Sequence, residues 1–214
     1  MMTAKEAAAQ AREICKLAPI VPVLVVDEVA HARPLAEALI AGGLPALEVT
    51  LRTPAALDVI AAMAAVPGGI VGAGTLVTPD DVKAAKAAGA QFGVSPGATD
   101  ALIAACEAED LPLLPGAATA TEAMALLERG YDMLKFFPAE ASGGAPALKA
   151  IGAPLSQISF CPTGGVSPSN AESYLSLPNV ICAGGSWVAP KDLVLAGDWA
   201  GIETLARDAA ALAR

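Results

Sequence analysis

Short blocks of apolar residues along the chain predict strands, and each block is followed by an alanine-rich stretch with helical spacing. The blocks recur roughly every 20 to 25 residues, which is the repeat of a β-strand followed by an α-helix. The predicted strands are Val21–Val26, Ala46–Leu51, Ile70–Thr75, Phe92–Ser95, Leu111–Leu114, Met133–Phe137, Ile158–Cys161 and Val180–Ala183.

Capping residues and glycines predict where the helices begin and end. Thr3 with Glu6, and Thr119 with Glu122, have the spacing of a capping box. A capping residue followed by proline at the first helical position predicts further helix starts at Thr53-Pro54, Thr78-Pro79 and Ser167-Pro168. Glycines predict helix ends at Gly42-Gly43, Gly89 and Gly130.

Eight such repeats predict an α/β fold in which the strands close into a TIM (β/α)8 barrel, preceded by a short N-terminal helix. A doubly wound open sheet is the alternative, but no GxGxxG motif follows the first strand. No linker, charge block or low-complexity segment divides the 214 residues. We therefore expect residues 1–214 to form one domain.

Composition narrows the class of protein. Apolar residues make up 55% of the chain and aromatics only 4%, which suits buried parallel strands covered by alanine-rich helices. The net charge of −9 argues against a nucleic-acid partner. Apolar stretches are interrupted by proline and glycine, so no membrane span is expected. The four cysteines have no CxxC or disulfide-framework spacing, and no signal peptide is visible. We therefore expect reduced thiols in a cytoplasmic protein.

Lys135 lies within the apolar run Met133–Phe137. With a period of two, Met133, Lys135 and Phe137 share one face of the predicted strand, and Leu134 and Phe136 share the other. The lysine either extends its amine to water or is held in low dielectric. A desolvated amine keeps a neutral fraction at pH 7 and is then a nucleophile towards carbonyl carbons.

Other polar residues follow the predicted strands and should share the carboxyl rim with Lys135. Glu48 and Arg52 lie on one face of the second strand by alternation, while Thr75 and Thr163 follow the third and seventh strands. Each has a simpler interpretation, because Glu48 could form a structural ion pair, Arg52 could be solvated and the threonines could pack. Their joint position favours a site in which Glu48 performs acid–base chemistry.

Glycine pairs follow the last two predicted strands, at Gly164-Gly165 and Gly184-Gly185, and Ser186 comes next. Backbone N–H groups at such strand ends commonly bind phosphate in this fold, although the pairs could also be plain turns. His31 is the only histidine, which argues against a histidine-rich metal site and a Ser-His-Asp triad.

Six segments together closely resemble the family of 2-keto-3-deoxy-6-phosphogluconate (KDPG) aldolases, described as bifunctional with 4-hydroxy-2-oxoglutarate aldolase. They keep the family's order and spacing over nearly the whole chain: EVTLRT at 48–53, VGAGT at 71–75, SPG at 95–97, KFFPAE at 135–140, CPTGG at 161–165 and GGSW at 184–187. The resemblance implies a class I, Schiff-base aldolase on a TIM barrel. It also implies a homotrimer, no metal and no organic cofactor.

The resemblance assigns roles to particular residues. Lys135 is implied as the imine-forming lysine and Glu48 as the acid–base, with Arg52 and Thr75 binding the substrate carboxylate. Thr163, Phe137 and Pro96 are implied to line the substrate. The implied phosphate-binding residues are Gly164, Gly165, Gly184, Gly185 and Ser186.

Several alternatives stay open. The segment at 114–122 is closer to the 2-keto-3-deoxy-6-phosphogalactonate relatives, so an aldolase for that C4 epimer is one of them. A metal-assisted pyruvate aldolase would need a ligand cluster, and a phosphosugar isomerase or epimerase would not need a buried lysine. A catalytically silent phosphosugar-binding barrel is the alternative from a different class.

Overall fold

The computed structural model describes residues 1–213 and has an α/β architecture built on parallel strands. The strands are β1 Ile20–Leu24, β2 Ala46–Thr50, β3 Ile70–Gly74, β4 Phe92–Val94, β5 Leu113–Leu114, β6 Gly116–Ala117, β7 Met133–Phe136, β8 Ser159–Pro162 and β9 Ala183–Gly185. The α-helices are α1 Ala4–Cys15, α2 Ala32–Ala41, α3 Ala56–Ala64, α4 Pro79–Ala87, α5 Asp100–Ala108, α6 Ala120–Arg129, α7 Gly144–Gly152, α8 Ala171–Leu175, α9 Lys191–Ala196 and α10 Trp199–Ala210.

The strands form two sheets, one in the order β5-β4-β3-β2-β1-β9 and one in the order β6-β7-β8. The carboxyl ends of parallel strands meet at one edge, so the residues that follow β2, β3, β7, β8 and β9 lie on the same side of the molecule. Isolated bridges between Phe160 and Val180 and between Thr163 and Gly184 connect the β8 and β9 regions.

Alternate residues of the strands pack into two separate clusters. The larger cluster lies between sheet and helices and includes Leu134 and Phe136 of β7. The smaller cluster joins side chains from one face of many strands, so the sheet must curl around it. Its buried members are Cys15, Val21, Phe92, Val94, Leu114, Met133, Cys161 and Cys182. We call this set the inner cluster.

The structure corrects two of the predicted strands. The strand predicted at Leu111–Leu114 is shorter in the structure, because β5 begins only at Leu113. A second short strand, β6, follows after Pro115. Proline has no N–H and interrupts the ladder there, although its carbonyl still accepts the N–H of Lys135 at 2.9 Å. The last strand, predicted at Val180–Ala183, begins only at Ala183.

Helix starts are confirmed where the capping side chain is free to cap. Thr3, Thr78 and Thr119 each accept the N–H three residues ahead in a capping box. The starts predicted at Thr53-Pro54 and Ser167-Pro168 are wrong, because α3 begins at Ala56 and α8 at Ala171. The Thr53 hydroxyl instead donates to the Val26 carbonyl at 2.8 Å.

Candidate active site

Lys135 and Glu48 meet inside the curled sheet. Alternation along β7 and β2 turns both side chains inward, and Lys135 Nζ lies 3.3 Å from Glu48 Oε1. Both residues are buried, with 4% of Lys135 and 3% of Glu48 exposed. Such a pair is well placed for proton exchange between an amine and a carboxylate.

Burial sets the electrostatics of Glu48. Loss of water raises the pKa of its carboxyl above 4.5, and the nearby charge of Lys135 opposes that shift only in part. Its side chain lies over Gly74 of β3, where an added Cβ would stand 2.3 Å from Glu48 Oε1. Gly74 is therefore needed for this rotamer, and a glycine in a strand beside a carboxylate was the sequence signal for it.

Arg52 and Thr75 form a second contact on the carboxyl side of the sheet. β2 ends at Thr50, so Arg52 belongs to the turn that follows and its side chain is exposed. Its Nε donates to Thr75 Oγ1 at 3.3 Å. Thr75 has a φ of 64°, a left-handed conformation that a β-branched residue seldom adopts. Strain of this kind is concentrated at functional sites.

Phe137, Thr163 and Pro96 lie in the segments that follow β7, β8 and β4. Lys135 Nζ lies 5.2 Å from the centroid of the Phe137 ring, and Thr163 is buried with its hydroxyl 3.9 Å from Cys161 Sγ. Pro96 is exposed just beyond β4. Its carbonyl oxygen would stand 2.3 Å from a Cβ added at Gly116, the residue paired with Lys135 in register.

The glycines beyond β8 and within β9 stand where a side chain would be strained or would collide with its neighbours. Gly164 and Gly165 have φ values of 100° and 82°. A Cβ at Gly184 would stand 2.3 Å from Thr163 Oγ1, and one at Gly185 would stand 2.0 Å from the Trp187 ring. Gly184 and Gly185 are part of β9 and do not form a separate turn.

Two of these segments offer unpaired backbone donors. Ser186 is exposed directly after β9. Within residues 1–213, no hydrogen bond uses the N–H of Gly165 or of Ser186. Open N–H groups of this kind can bind an anion.

Gly116 and Gly74 were not among the site residues named from the sequence. Both make space for the Lys135–Glu48 pair or for the Pro96 backbone. Over residues 1–213, no group of three or more His, Cys, Asp or Glu side chains has a geometry that could hold a metal ion. No helix in the same range is long and apolar enough to cross a bilayer.

A buried amine beside a buried carboxylate, at the carboxyl edge of a curled parallel sheet, has the chemistry required of an enzyme site that acts on carbonyl compounds. Comparison with known proteins specifies the family. The model of the KDPG and KHG aldolase family matches residues 11–205. The chain is 55% identical to 2-dehydro-3-deoxy-phosphogluconate aldolase of Pseudoalteromonas atlantica over 94% of each chain.

Solved structures agree. KDPG aldolase of Zymomonas mobilis ZM4 with 3-phosphoglycerate matches with a TM-score of 0.92 and 47% identity, covering 97% of this chain and 98% of that one. KDPG aldolase of Legionella pneumophila, with pyruvate captured as a covalent carbinolamine, matches with a TM-score of 0.91 and 44% identity, covering 94% and 98%. The chain belongs to the KDPG and KHG aldolase family.

Proposed function

We propose that this protein is a class I aldolase that cleaves 2-keto-3-deoxy-6-phosphogluconate to pyruvate and glyceraldehyde 3-phosphate. The single observation that carries the proposal is the 3.3 Å contact between buried Lys135 Nζ and Glu48 Oε1. We propose 4-hydroxy-2-oxoglutarate, cleaved to pyruvate and glyoxylate, as a second substrate. The carbinolamine captured in the Legionella pneumophila relative supports a covalent route through a lysine.

The first half of the reaction forms the Schiff base. Lys135 first passes a proton to Glu48, the resulting neutral amine attacks C2 of the substrate, and a proton moves from the attacking nitrogen to the developing alkoxide. The carbinolamine then loses its hydroxyl as water, protonated by Glu48, and an iminium ion remains. Because burial raises the pKa of Glu48, its protonated form is more accessible than that of a free carboxyl, so this group can act as an acid as well as a base.

The second half breaks the C3–C4 bond. Glu48 removes the proton of the C4 hydroxyl, the bond electrons move into the iminium, and glyceraldehyde 3-phosphate leaves. The resulting enamine takes a proton at C3 from Glu48. Water then hydrolyses the iminium, which releases pyruvate and restores the Lys135 amine.

Binding groups around the pair would hold the substrate. Arg52 and Thr75 are proposed to bind the carboxylate, because a guanidinium and a hydroxyl already held together make a charge-assisted pair of donors. Phe137, Thr163 and Pro96 would line the carbon chain. This orientation would place C2 against Lys135.

The phosphate would bind at the glycine segments. The open N–H groups of Gly165 and Ser186 support this, together with the left-handed backbone of Gly164 and Gly165. Backbone amides bind a phosphate even in a protein with a net charge of −9, because the donors are local.

We further propose that the two sheets form one closed (β/α)8 barrel within a single domain. Two observations support closure: β5 and β6 are separated only by Pro115, and the isolated Thr163–Gly184 bridge joins the β8 and β9 regions. Both sheets would then act as one scaffold for Lys135 and Glu48.

A homotrimer in the cytoplasm completes the proposal. The trimer is implied by the family resemblance. A candidate contact surface for the trimer is formed by exposed aliphatic side chains on the segments that follow β1, β2 and β3. These are Val25, Val29, Leu57 and Val77. Light scattering of the purified protein would test the trimer.

A pyruvate-release assay tests the function. Purified protein is given the gluconate- and galactonate-derived phosphorylated substrates side by side, with and without EDTA. We expect faster cleavage of the gluconate series and no loss in EDTA, since no metal or organic cofactor is proposed. Preference for the galactonate series would reassign the substrate, and loss of activity in EDTA would favour a metal-assisted aldolase. Absence of pyruvate would favour a silent phosphosugar-binding barrel.

A further inference from the structure

Glu140 ends the KFFPAE segment but has no part in the mechanism above. The segment after β7 runs beside the segment after β8, and two backbone hydrogen bonds join them. The N–H of Ala139 donates to the Thr163 carbonyl at 2.8 Å, and the N–H of Glu140 donates to the Gly164 carbonyl at 3.0 Å. Glu140 is therefore fixed directly against the glycine turn.

Gly165 is held from two sides. The side-chain stem of Glu140 covers one side, because a Cβ added at Gly165 would lie 2.6 Å from Glu140 Cγ. On the other, Asn170 Nδ2 donates to the Gly165 carbonyl at 3.0 Å, and Asn170 Oδ1 accepts the N–H of Ser167 at 2.8 Å. The Asn170 bond fixes the peptide that carries the Gly165 carbonyl, and the bond from the Glu140 N–H fixes the Gly164–Gly165 peptide, whose N–H stays unpaired within residues 1–213.

Tyr174 holds the Glu140 carboxylate in turn. This tyrosine of α8 is fully buried, and its hydroxyl donates to Glu140 Oε1. Burial, followed by the neighbouring carboxylate, raises the pKa of Tyr174 well above its ordinary value, so the phenol remains a donor. The amino end of α7 is also close, since a Cβ at Gly144 would lie 3.4 Å from Glu140 Oε1. A helix amino terminus favours a negative charge there.

We propose that Glu140, anchored by Tyr174, is the positioning residue that holds the Gly165 N–H towards the substrate phosphate. Glu140 and Tyr174 together thereby set the preference of the enzyme for phosphorylated over unphosphorylated 2-keto acids. This role rests on the proposed function, because the turn at Gly164-Gly165 can bind a substrate phosphate only if the substrate carries one.

Charge and position predict opposite effects at Glu140. A carboxylate near a phosphate repels it, so if charge alone mattered, Glu140→Gln and Glu140→Ala would both tighten binding. If position matters, glutamine keeps the stem and an oxygen that can accept from Tyr174, whereas alanine loses both. Positioning therefore predicts that Glu140→Gln behaves like the wild type and Glu140→Ala does not.

The experiment compares KM and kcat for 2-keto-3-deoxy-6-phosphogluconate and 4-hydroxy-2-oxoglutarate in the wild type, Glu140→Ala, Glu140→Gln and Tyr174→Phe. For Glu140→Ala and Tyr174→Phe we expect KM for the phosphorylated substrate to rise about 10-fold or more. This is the effect of losing one hydrogen bond to a charged group. KM for 4-hydroxy-2-oxoglutarate should change less than about 2-fold. The inhibition constant of inorganic phosphate, used as a competitive inhibitor, should rise in parallel with KM for the phosphorylated substrate.

Glu172→Ala, at an exposed carboxylate on the same helix as Tyr174, is the matched charge control and should leave both KM values unchanged. Equal effects on the two substrates, no effect of either disruptive variant, or a Glu140→Gln variant as impaired as Glu140→Ala would each overturn the inference. Tyr174→Phe keeps the buried ring, so it tests the contact even if Glu140→Ala does not fold. A wild type that does not cleave the phosphorylated substrate would instead overturn the proposed function.

Discussion

Two neighbouring regions inside the curled sheet differ sharply in chemistry. The inner cluster consists of apolar side chains and thiols, whereas the Lys135–Glu48 pair beside it consists of ionisable groups. The two regions are adjacent. Cys161 of the cluster is the register partner of Lys135, and Met133 of the cluster lies two residues before Lys135 on the same strand. Burying apolar groups stabilises a fold, whereas burying ions costs desolvation that their attraction only partly offsets. We therefore attribute stability to the inner cluster and propose that the Lys135–Glu48 pair carries the chemistry.

Replacing the lysine should give the largest effect. Lys135→Ala removes the only proposed nucleophile, so we expect pyruvate release to fall to the background rate. Lys149→Ala, at a lysine on α7, is the control and should retain activity. Turnover that survives in Lys135→Ala would mean that the pair does not carry the chemistry.

Replacing the carboxylate should come next. Glu48→Gln keeps the shape over Gly74 but cannot accept a proton, so we expect kcat to fall about 100-fold or more. Steady-state kinetics on the phosphorylated substrate measure this change. A decrease of only a few-fold would assign proton transfer to another group or to water.

The pH dependence gives a third test of the pair. Because burial raises the pKa of Glu48 above 4.5, its base form is lost as the pH falls through a value higher than that of a free carboxyl. We therefore expect the acid limb of kcat/KM to lie above pH 4.5 and to disappear in Glu48→Gln. An unchanged limb in that variant would show that a different group titrates.

Truncating the inner cluster should affect stability more than activity. Met133 is fully buried, so Met133→Ala should lower the free energy of unfolding by about 2–5 kcal/mol. The kcat of the folded variant should change by only a few-fold, since the pair is untouched. Urea denaturation with parallel kinetics measures both, and a collapse of kcat without loss of stability would reverse the division between the two regions.

Local patterns were enough to predict most of the strands and which residues share a strand face with Lys135 and with Glu48. A period of two fixes side-chain direction within each strand, and a capping box such as Thr3 with Glu6 identifies a helix start. Those patterns do not report what a hydroxyl will contact elsewhere. Thr53 donates to Val26 instead of capping α3, so that helix start could not be predicted from its neighbours alone.

Tertiary contacts explain what the sequence did not predict. Cys15, Cys161 and Cys182 lie far apart in the chain yet share the inner cluster, because parallel strands and α1 bring them together. The contact between Tyr174 and Glu140 depends likewise on the packing of α8 against the segment after β7. Gly74 and Gly116 were visible as strand glycines, but the atoms that approach them come from other strands.

The most direct test of the central claim is borohydride reduction of the protein in the presence of pyruvate, followed by peptide mass spectrometry. We expect one pyruvate-derived adduct on the peptide that contains Lys135, and no adduct in Lys135→Ala. An adduct on another lysine, or labelling that persists in Lys135→Ala, would contradict it.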